Sequence, residues 1–455
     1  MNLINTAFSG MQAAQAHLNA TAMNIANAKT PGYSRQRVEQ SALGTQGTGL
    51  SAGNGVRVDE FKRITEQHLI REEWKETSNH NYFSSKQNYL SKLEYAIGDE
   101  NTGIATGLQA FFNGLTLATS NPASPAYREN VIHEAHSLAL SFNNFAASAK
   151  EQKNTIALQR EGMVTQINDL IENIAQYNQK IVLMSANNSN VSALQDNRDE
   201  QVKKLSKLLD INVTEATDGS YAITMKGGLP LISGQSVSVL ELNSTSPNPN
   251  IDLKFSGTSY AIDMSCGAGL GAINDYESGV LAETQAIVEG MAEQLADKIN
   301  NQLTAGYDLS GAAGKQLFNF DRTNPTGMLL VTDIKANELG FSSNVNAVGD
   351  ASNLHSLIAI KGDGITLPGI GSTSLSDAGA SLVGNVAFAS SKNQQSITQT
   401  KNMLDIATFN RDSLSGIEND EEAANVMEYS KVYQANMKVI STGDRIFSEL
   451  LSLFR

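Results

Sequence analysis

The chain has 455 residues, room for about two to four domains at ~100–200 residues each. Hydrophobic residues make up 40% but aromatic ones only 6%, a composition suited to long helices meeting through small side chains more than to a dense enzyme interior. A net charge of −14 argues against nucleic acid and anionic membrane as partners, and the single cysteine, Cys266, excludes an internal disulfide framework and a multi-cysteine metal site. No apolar run approaches ~18 residues, so no transmembrane helix is expected. The start lacks the basic region and continuous apolar stretch of a cleavable signal peptide.

Residues 1–35 carry no charged side chain before Lys29. Ile4, Met11, Leu18 and Ile25 recur every seven residues, with Ala7, Ala14 and Thr21 three places after the first three. That is a heptad with large a and small d positions, and it predicts a helix. Thr30-Pro31-Gly32 ends it, since proline disfavours the helical region for the residue before it. Ser41–Gly55, rich in Gly, Ser and Thr, reads as a linker or loop, and Val56-Arg57-Val58 as a short strand. A helical pattern runs from Ile64 to Ile97 and includes Trp74. Asn121-Pro122-Ala123-Ser124-Pro125 punctuates the chain before the longest helical signal, Arg128 to Met184. Its seam is Met163, Ile167, Leu170, Ile174, Tyr177, Ile181 and Met184. A further helix spans Val191–Leu209.

At Ile211 the period changes to alternation. Residues 211–213, 221–225 and 236–240 read as strands, with Asp218-Gly219 and Gly227-Gly228 as turn signals; Ile251–Ile262 adds two more. Helix returns at Tyr276–Leu303, with Val288, Met291, Leu295, Ile299 and Leu303 on one face. Residues 306–350 read as irregular apart from a strand at Met328–Thr332, and Asp363–Gly371 as turn-rich. From Ser374 to Arg411 the pattern is helical again. The far end mirrors the start: Val426, Tyr433, Ile440, Phe447 and Phe454 are spaced by seven, with Met437 and Leu451 in intervening slots.

Four stretches invite a chemical reading, and each fails on context. Gly49-Leu50-Ser51-Ala52-Gly53 matches a nucleophile elbow but follows a loop instead of a buried strand. His133-Glu134-Ala135-His136 has its histidines three apart where the zinc motif needs four. Gly267-Ala268-Gly269-Leu270-Gly271 lacks the last glycine of a dinucleotide loop. Glu418, Asp420, Glu421 and Glu422 suit the positive end of a helix dipole better than a cation. No catalytic, cofactor-binding or metal-ligating residue is assigned.

The stretch Asn24-Ile25-Ala26-Asn27-Ala28-Lys29-Thr30-Pro31-Gly32-Tyr33-Ser34-Arg35-Gln36 resembles the N-terminal signature shared by bacterial flagellar rod, hook and hook-associated axial proteins, with a Tyr-Ser-Arg-Gln ending like that of the hook-associated members. Arg411–Ile417, Asp420–Asn425, Tyr433-Gln434-Ala435-Asn436 and Phe447–Leu451 resemble the family's C-terminal signature, from which Asn419 departs. Arg128-Glu129 and Asp196-Asn197-Arg198-Asp199 extend the resemblance inward, and it thins between about 211 and 400.

The resemblance implies a secreted, non-enzymatic structural component of the flagellum that joins hook to filament. It implies export through the flagellum's own apparatus and no cofactor. The partners it implies are copies of the chain itself in a tubular ring, the hook protein, a second hook–filament junction protein, and an export chaperone on the C-terminal helix. Another axial protein (hook or distal rod) and a flagellum-borne enzyme are the alternatives. The fold expected is mainly α with an inserted small β domain, its terminal helices paired as a coiled coil. Three nested parts follow: 1–36 with 416–455, 37–210 with 274–415, and 211–273. Asn27, Thr30, Pro31, Gly32, Tyr33, Ser34 and Arg35 are the expected signature residues. The two heptad seams are the expected assembly interface, and both termini are expected to be disordered in the isolated monomer.

Overall fold

The computed structural model describes residues 2–44, 53–99, 103–187, 189–243, 250–262, 266–324 and 327–453. It is mainly helical with small antiparallel sheets inserted, as expected. In chain order, α1 (Asn2–Asn27) leads to a hairpin of β1 (Gln36–Ala42) and β2 (Val56–Arg63). Then come α2 (Gln67–Gly98), α3 (Ile104–Ala118), α4 (Pro125–Ala186) and α5 (Ser192–Leu208). Strands β3 (Ile211–Glu215), β4 (Tyr221–Met225), β5 (Pro230–Ser233) and β6 (Ser236–Val237) form one sheet in sequence order. A second sheet holds β7 (Val239–Asn243), β8 (Asn250–Phe255) and β9 (Thr258–Ala261). α6 (Ala268–Asp275), a π-helical turn at Tyr276–Leu281 and α7 (Ala282–Ala305) follow. Two hairpins, β10 (Phe318–Phe320) with β11 (Leu329–Val331) and β12 (Gly364–Leu367) with β13 (Gly371–Ser374), flank α8 (Ser352–Ala359). α9 (Leu375–Ser415) and α10 (Asn419–Leu453) close the chain.

The chain divides into two compact units, Met1–Asn81 with Val164–Ala268 and Gln399–Arg455, and Tyr82–Met163 with Gly269–Thr398. In the first, α1 and α10 pack together, and α1 also lies on the β1–β2 hairpin, where the Val56 N–H donates to Ser9 Oγ at 3.1 Å. The strands of 211–262 are tied to the helices by side-chain amides, Asn178 buried and Asn168 half-buried. The Asn178 side chain bonds both the N–H and the C=O of Tyr221, and Asn168 does the same for Leu240. Tyr221 stands edge-on to Trp74, with centroids 6.1 Å apart, and the buried Arg198 guanidinium lies 3.4 Å from the Tyr221 ring. Arg198 Nη1 donates to Asn178 Oδ1 and to the Gly219 carbonyl, which offsets part of the cost of burying a cation.

In the second unit α3, α4 and α7 bury Phe111, Phe112, Phe142, Phe145 and the whole expected α7 face, Val288, Met291, Leu295, Ile299 and Leu303. Arg128, at the start of α4, is buried and donates to the carbonyls of Pro122, Ala336 and Leu339. Desolvation pulls its guanidinium down to about 10. Around the end of α7 three glycines converge, with Gly314 N–H donating to Gly306 O at 2.9 Å and Gly340 packed against both.

Several elements differ from the sequence expectation. Ser41 and Ala42 belong to β1, and the turn-rich Asp363–Gly371 stretch holds a hairpin. α3, β5, β10 and α8 lie where the sequence sets no specific expectation or an irregular one.

Candidate assembly site where the chain ends meet

The site starts from the break the sequence puts after α1. Asn27 Nδ2 bonds the Met23 carbonyl and Thr30 Oγ1 donates to Asn27 Oδ1 at 3.2 Å, which closes the helix end. Gly32 takes φ +79°, a conformation that L side chains rarely adopt, and the chain reverses there. Asn27 and Gly32 are half-buried, Thr30 and Pro31 exposed, Tyr33 and Arg35 half-buried, and Ser34 buried.

The reversal brings the signature onto α10. Arg35 forms a two-pronged pair with Glu421, Nη1 to Oε2 at 3.0 Å and Nη2 to Oε1 at 2.6 Å, and its Nε reaches Glu422 Oε1 at 2.8 Å. Its backbone N–H donates to Ser415 O and its carbonyl accepts from Ile64 N–H. Hydrogen bonding from Arg35 holds the Glu421 carboxyl below the usual carboxylate range. Asn24 is buried and fully engaged: its amide pairs with both the N–H and the C=O of Gln36, accepts from Tyr33 Oη at 3.1 Å, and donates to Glu422 Oε2 at 3.3 Å. Glu422 has a side chain only 1% exposed.

A second layer supports this one. The Ser34 N–H donates to Asp196, and Arg63 Nη1 bridges Asp196 and Asp199 at 2.8 Å each. Burial raises the Asp196 carboxyl despite Arg63 beside it. Glu73, on α2, takes Lys203 and Arg411 on its two oxygens. Arg63 and Glu73 carry no sequence signal of their own, since a charged residue on a strand or helix reads as solvated.

The structure sorts the expected interface residues into three groups. Ile4, Met11, Leu18, Val426, Tyr433 and Ile440 are half-buried. Ile25, Met437, Phe447 and Leu451 are exposed, and Phe454 lies outside the described residues. The buried line of α1 is instead small or polar: Ala7, Ala13, Ala14, Ala20, Thr21 and Asn24. On α10 the intervening contacts fall three residues after the large ones, at Tyr429, Asn436 and Gly443, and not four after them at Met437. Helices meeting through alanine and glycine approach closely and leave their large residues at the flanks.

The other candidates stay unremarkable. His133 and His136 are both exposed on α4, Gly267 forms a turn against Asp210, and residues 49–52 lie outside the described residues. Asp420, Glu421 and Glu422 do occupy the first turn of α10. Among the described residues no three His, Cys, Asp or Glu side chains are placed to hold a metal, and no helix is long and apolar enough to cross a membrane.

A family model for the flagellar hook-associated protein FlgK helical domain matches residues 90–318, about half of the chain. The chain belongs to the flagellar hook-associated protein FlgK family. Models for the flagella basal body rod protein and for the C-terminal region of flagellar basal body rod proteins match residues 4–33 and 412–453, the stretches that Asn24 and Glu422 link. Flagellar hook-associated protein 1 of Bacillus subtilis (strain 168) is 26% identical over alignments covering 99% of this chain and 97% of that protein. Its counterpart in Escherichia coli (strain K12) is 24% identical, covering 99% and 100%. The solved flagellar hook junction protein FlgK from Burkholderia pseudomallei shares the fold at a TM-score of 0.66 and 16% identity, over 77% of this chain and all of that one. As a FlgK-family member the chain is a structural, non-enzymatic protein of the flagellum.

Tyr33 offers a direct probe of this site. Burial, with Asp196 and Glu422 nearby, pushes the Tyr33 phenol up to about 12. A phenol raised in the folded state contributes stability that is fully present below pH ~10 and is lost as pH rises towards 12. Several phenols are raised, Tyr221 among them, so the ultraviolet titration of the parent minus that of Tyr33→Phe should isolate one phenol ionising at about pH 12. A difference curve centred near pH ~10 would place Tyr33 in solvent.

Proposed function

We propose that the chain joins hook to filament, and that α1 and α10 are the module through which it assembles. The observation that carries this is the surface the helix pair leaves uncovered. Leu3, Phe8, Met23 and Ile25 on α1, and Met427, Met437, Ile446, Phe447, Leu450 and Leu451 on α10, are all exposed. Exposed large apolar residues in this density along two paired helices point to a protein contact. The occupants that fit are the same helix pair in neighbouring copies, with the hook protein on one side and a second junction protein on the other. During export, the α10 face fits a chaperone groove that takes an amphipathic helix. The nested division into 1–36 with 416–455, 37–210 with 274–415, and 211–273 serves this reading as assembling core, wall and outer module.

Electron microscopy of a deletion strain is the test: hooks without filaments, and flagellin shed into the medium. Complementation with Leu18→Glu should fail in the same way, because a charge forced into a packed helix interface costs on the order of several kcal/mol. Circular dichroism should show the variant's remaining helices intact. Normal filaments in either strain would reject the proposal.

A further inference from the structure

The apolar seams of α1 and α10 do not by themselves choose a register. Val426, Tyr433, Ile440 and Phe447 follow one another every seven residues, as do Ile4, Met11, Leu18 and Ile25. Sliding one helix past the other by seven residues therefore sets large apolar residues where large apolar residues were, and the slipped pairings are close competitors.

The other line of the seam is not repetitive. Counted along the antiparallel pair, Gly443 packs on Ile4, where a Cβ would come within 2.7 Å of Ile4 Cγ1. Seven residues on, Asn436 fills the space beside Gly10, at 2.9 Å from where a Cβ would stand. Seven further, the Tyr429 ring stacks on His17 with centroids 4.4 Å apart. The fourth layer is Glu422 on Asn24, at 3.3 Å and buried. Each layer matches a different pair of shapes or charges.

We infer that these four layers, with the buried Asn24–Glu422–Arg35 cluster as the decisive one, are the register lock of the terminal helix pair. A slip of seven in one direction sets Glu422 opposite Pro31, past the end of α1, and puts Gly10 against Gly443 with nothing between them. The opposite slip drives Tyr429 onto Gly10 and leaves Asn24 opposite Ser415, before α10 begins. Both slips carry the Glu422 carboxylate away from Arg35 and Asn24, whereas Asn24 keeps Gln36 and Tyr33, and an unmade buried hydrogen bond costs more than a made one contributes. A buried polar layer that fixes register while weakening the coil is an established use of such residues. The consequence for filament joining rests on the proposed function, whereas the pairing is measured without it.

Disulfide trapping in the full-length chain carrying Cys266→Ala reads the register directly. Gly10→Cys is combined with Asn436→Cys for the native register, and with Tyr429→Cys or Gly443→Cys for the two slips. Under mild oxidant the native crosslink should exceed either slipped one by more than about tenfold. Asn24→Leu with Glu422→Leu should carry that ratio towards one, with slipped crosslinks rising, while Glu422→Gln should keep it. A ratio unchanged in the double-leucine chain would show that the register is set elsewhere. Loss of all three crosslinks without a slipped product would show that the cluster only holds the helices together. Equal crosslinks in the parent chain would show that there is no lock. Filaments on a deletion strain would reject the junction role and leave these ratios standing.

Discussion

Amide hydrogens of α1 and α10 should exchange far faster in the purified monomer than those of α4 and α7. The reason is what each helix buries. α7 buries ten of its 24 residues, several of them large. α10 buries only Glu422 and Gly443 in 35, and the buried residues of α1 are small or polar. Burying one methylene yields ~0.8 kcal/mol, and ordering one residue costs ~1–2 kcal/mol of backbone entropy. The pair therefore sits at the low-stability end of the molecule until something covers its apolar flanks. Protection below about a hundredfold is expected there, against several thousandfold or more in α4 and α7, where opening requires global unfolding. Removing residues 416–455 should leave the main thermal transition nearly unmoved. Slow exchange throughout α1 in a verified monomer would mean that the helix pair is prefolded and docks finished.

Gly340→Ala should destabilise the second unit by about 3 kcal/mol or more, near the upper end of overpacking costs. No special backbone angle is involved. A Cβ at this position would stand 2.2 Å from the Leu303 carbonyl oxygen and 3.1 Å from Gly314 Cα. Both obstacles are backbone, so no side chain can rotate away. The Gly340 carbonyl is also pinned by Asn353 Nδ2, which in turn bonds the Gln302 carbonyl at 2.8 Å. Gly349→Ala is the control, since nothing lies within 4 Å of a Cβ there. It should be neutral within ~0.5 kcal/mol. Chemical denaturation of both variants decides the matter, and equal midpoints would show that the three-glycine contact does not constrain the fold.

What could be read from the sequence followed from periodicity. The seam of α7 is buried as its 3–4 spacing implies, and Thr30-Pro31-Gly32 ends α1 because proline and a positive-φ glycine leave no other course. β1 escaped because Gln36-Arg37-Val38-Glu39-Gln40 has one apolar residue; its hairpin is held by backbone pairing with β2, which composition does not report. In the terminal helices the period was legible but not the flank. Ile4, Met11 and Leu18 mark the right repeat, yet the helices meet on the alanine and glycine side of it, which costs less in steric terms than it yields in close approach. The polar cluster was legible only in part. Arg35, Asp196, Arg411, Glu421 and Glu422 stand in the signature stretches, whereas Arg63 and Glu73 owe their burial to elements far along the chain.

Asn24 and Glu422, which meet at 3.3 Å, lie 398 positions apart in sequence. Their contact has nearly the greatest loop to close that a chain of 455 residues permits, so it is made late, after local structure has formed. A chain delivered N-terminus first holds α1 unpaired until its last residues are free. A prematurely ended chain never pairs it at all. On the proposed assembly role, the helix pair would work as a length check: only a chain carried through to α10 can offer a neighbour both helices.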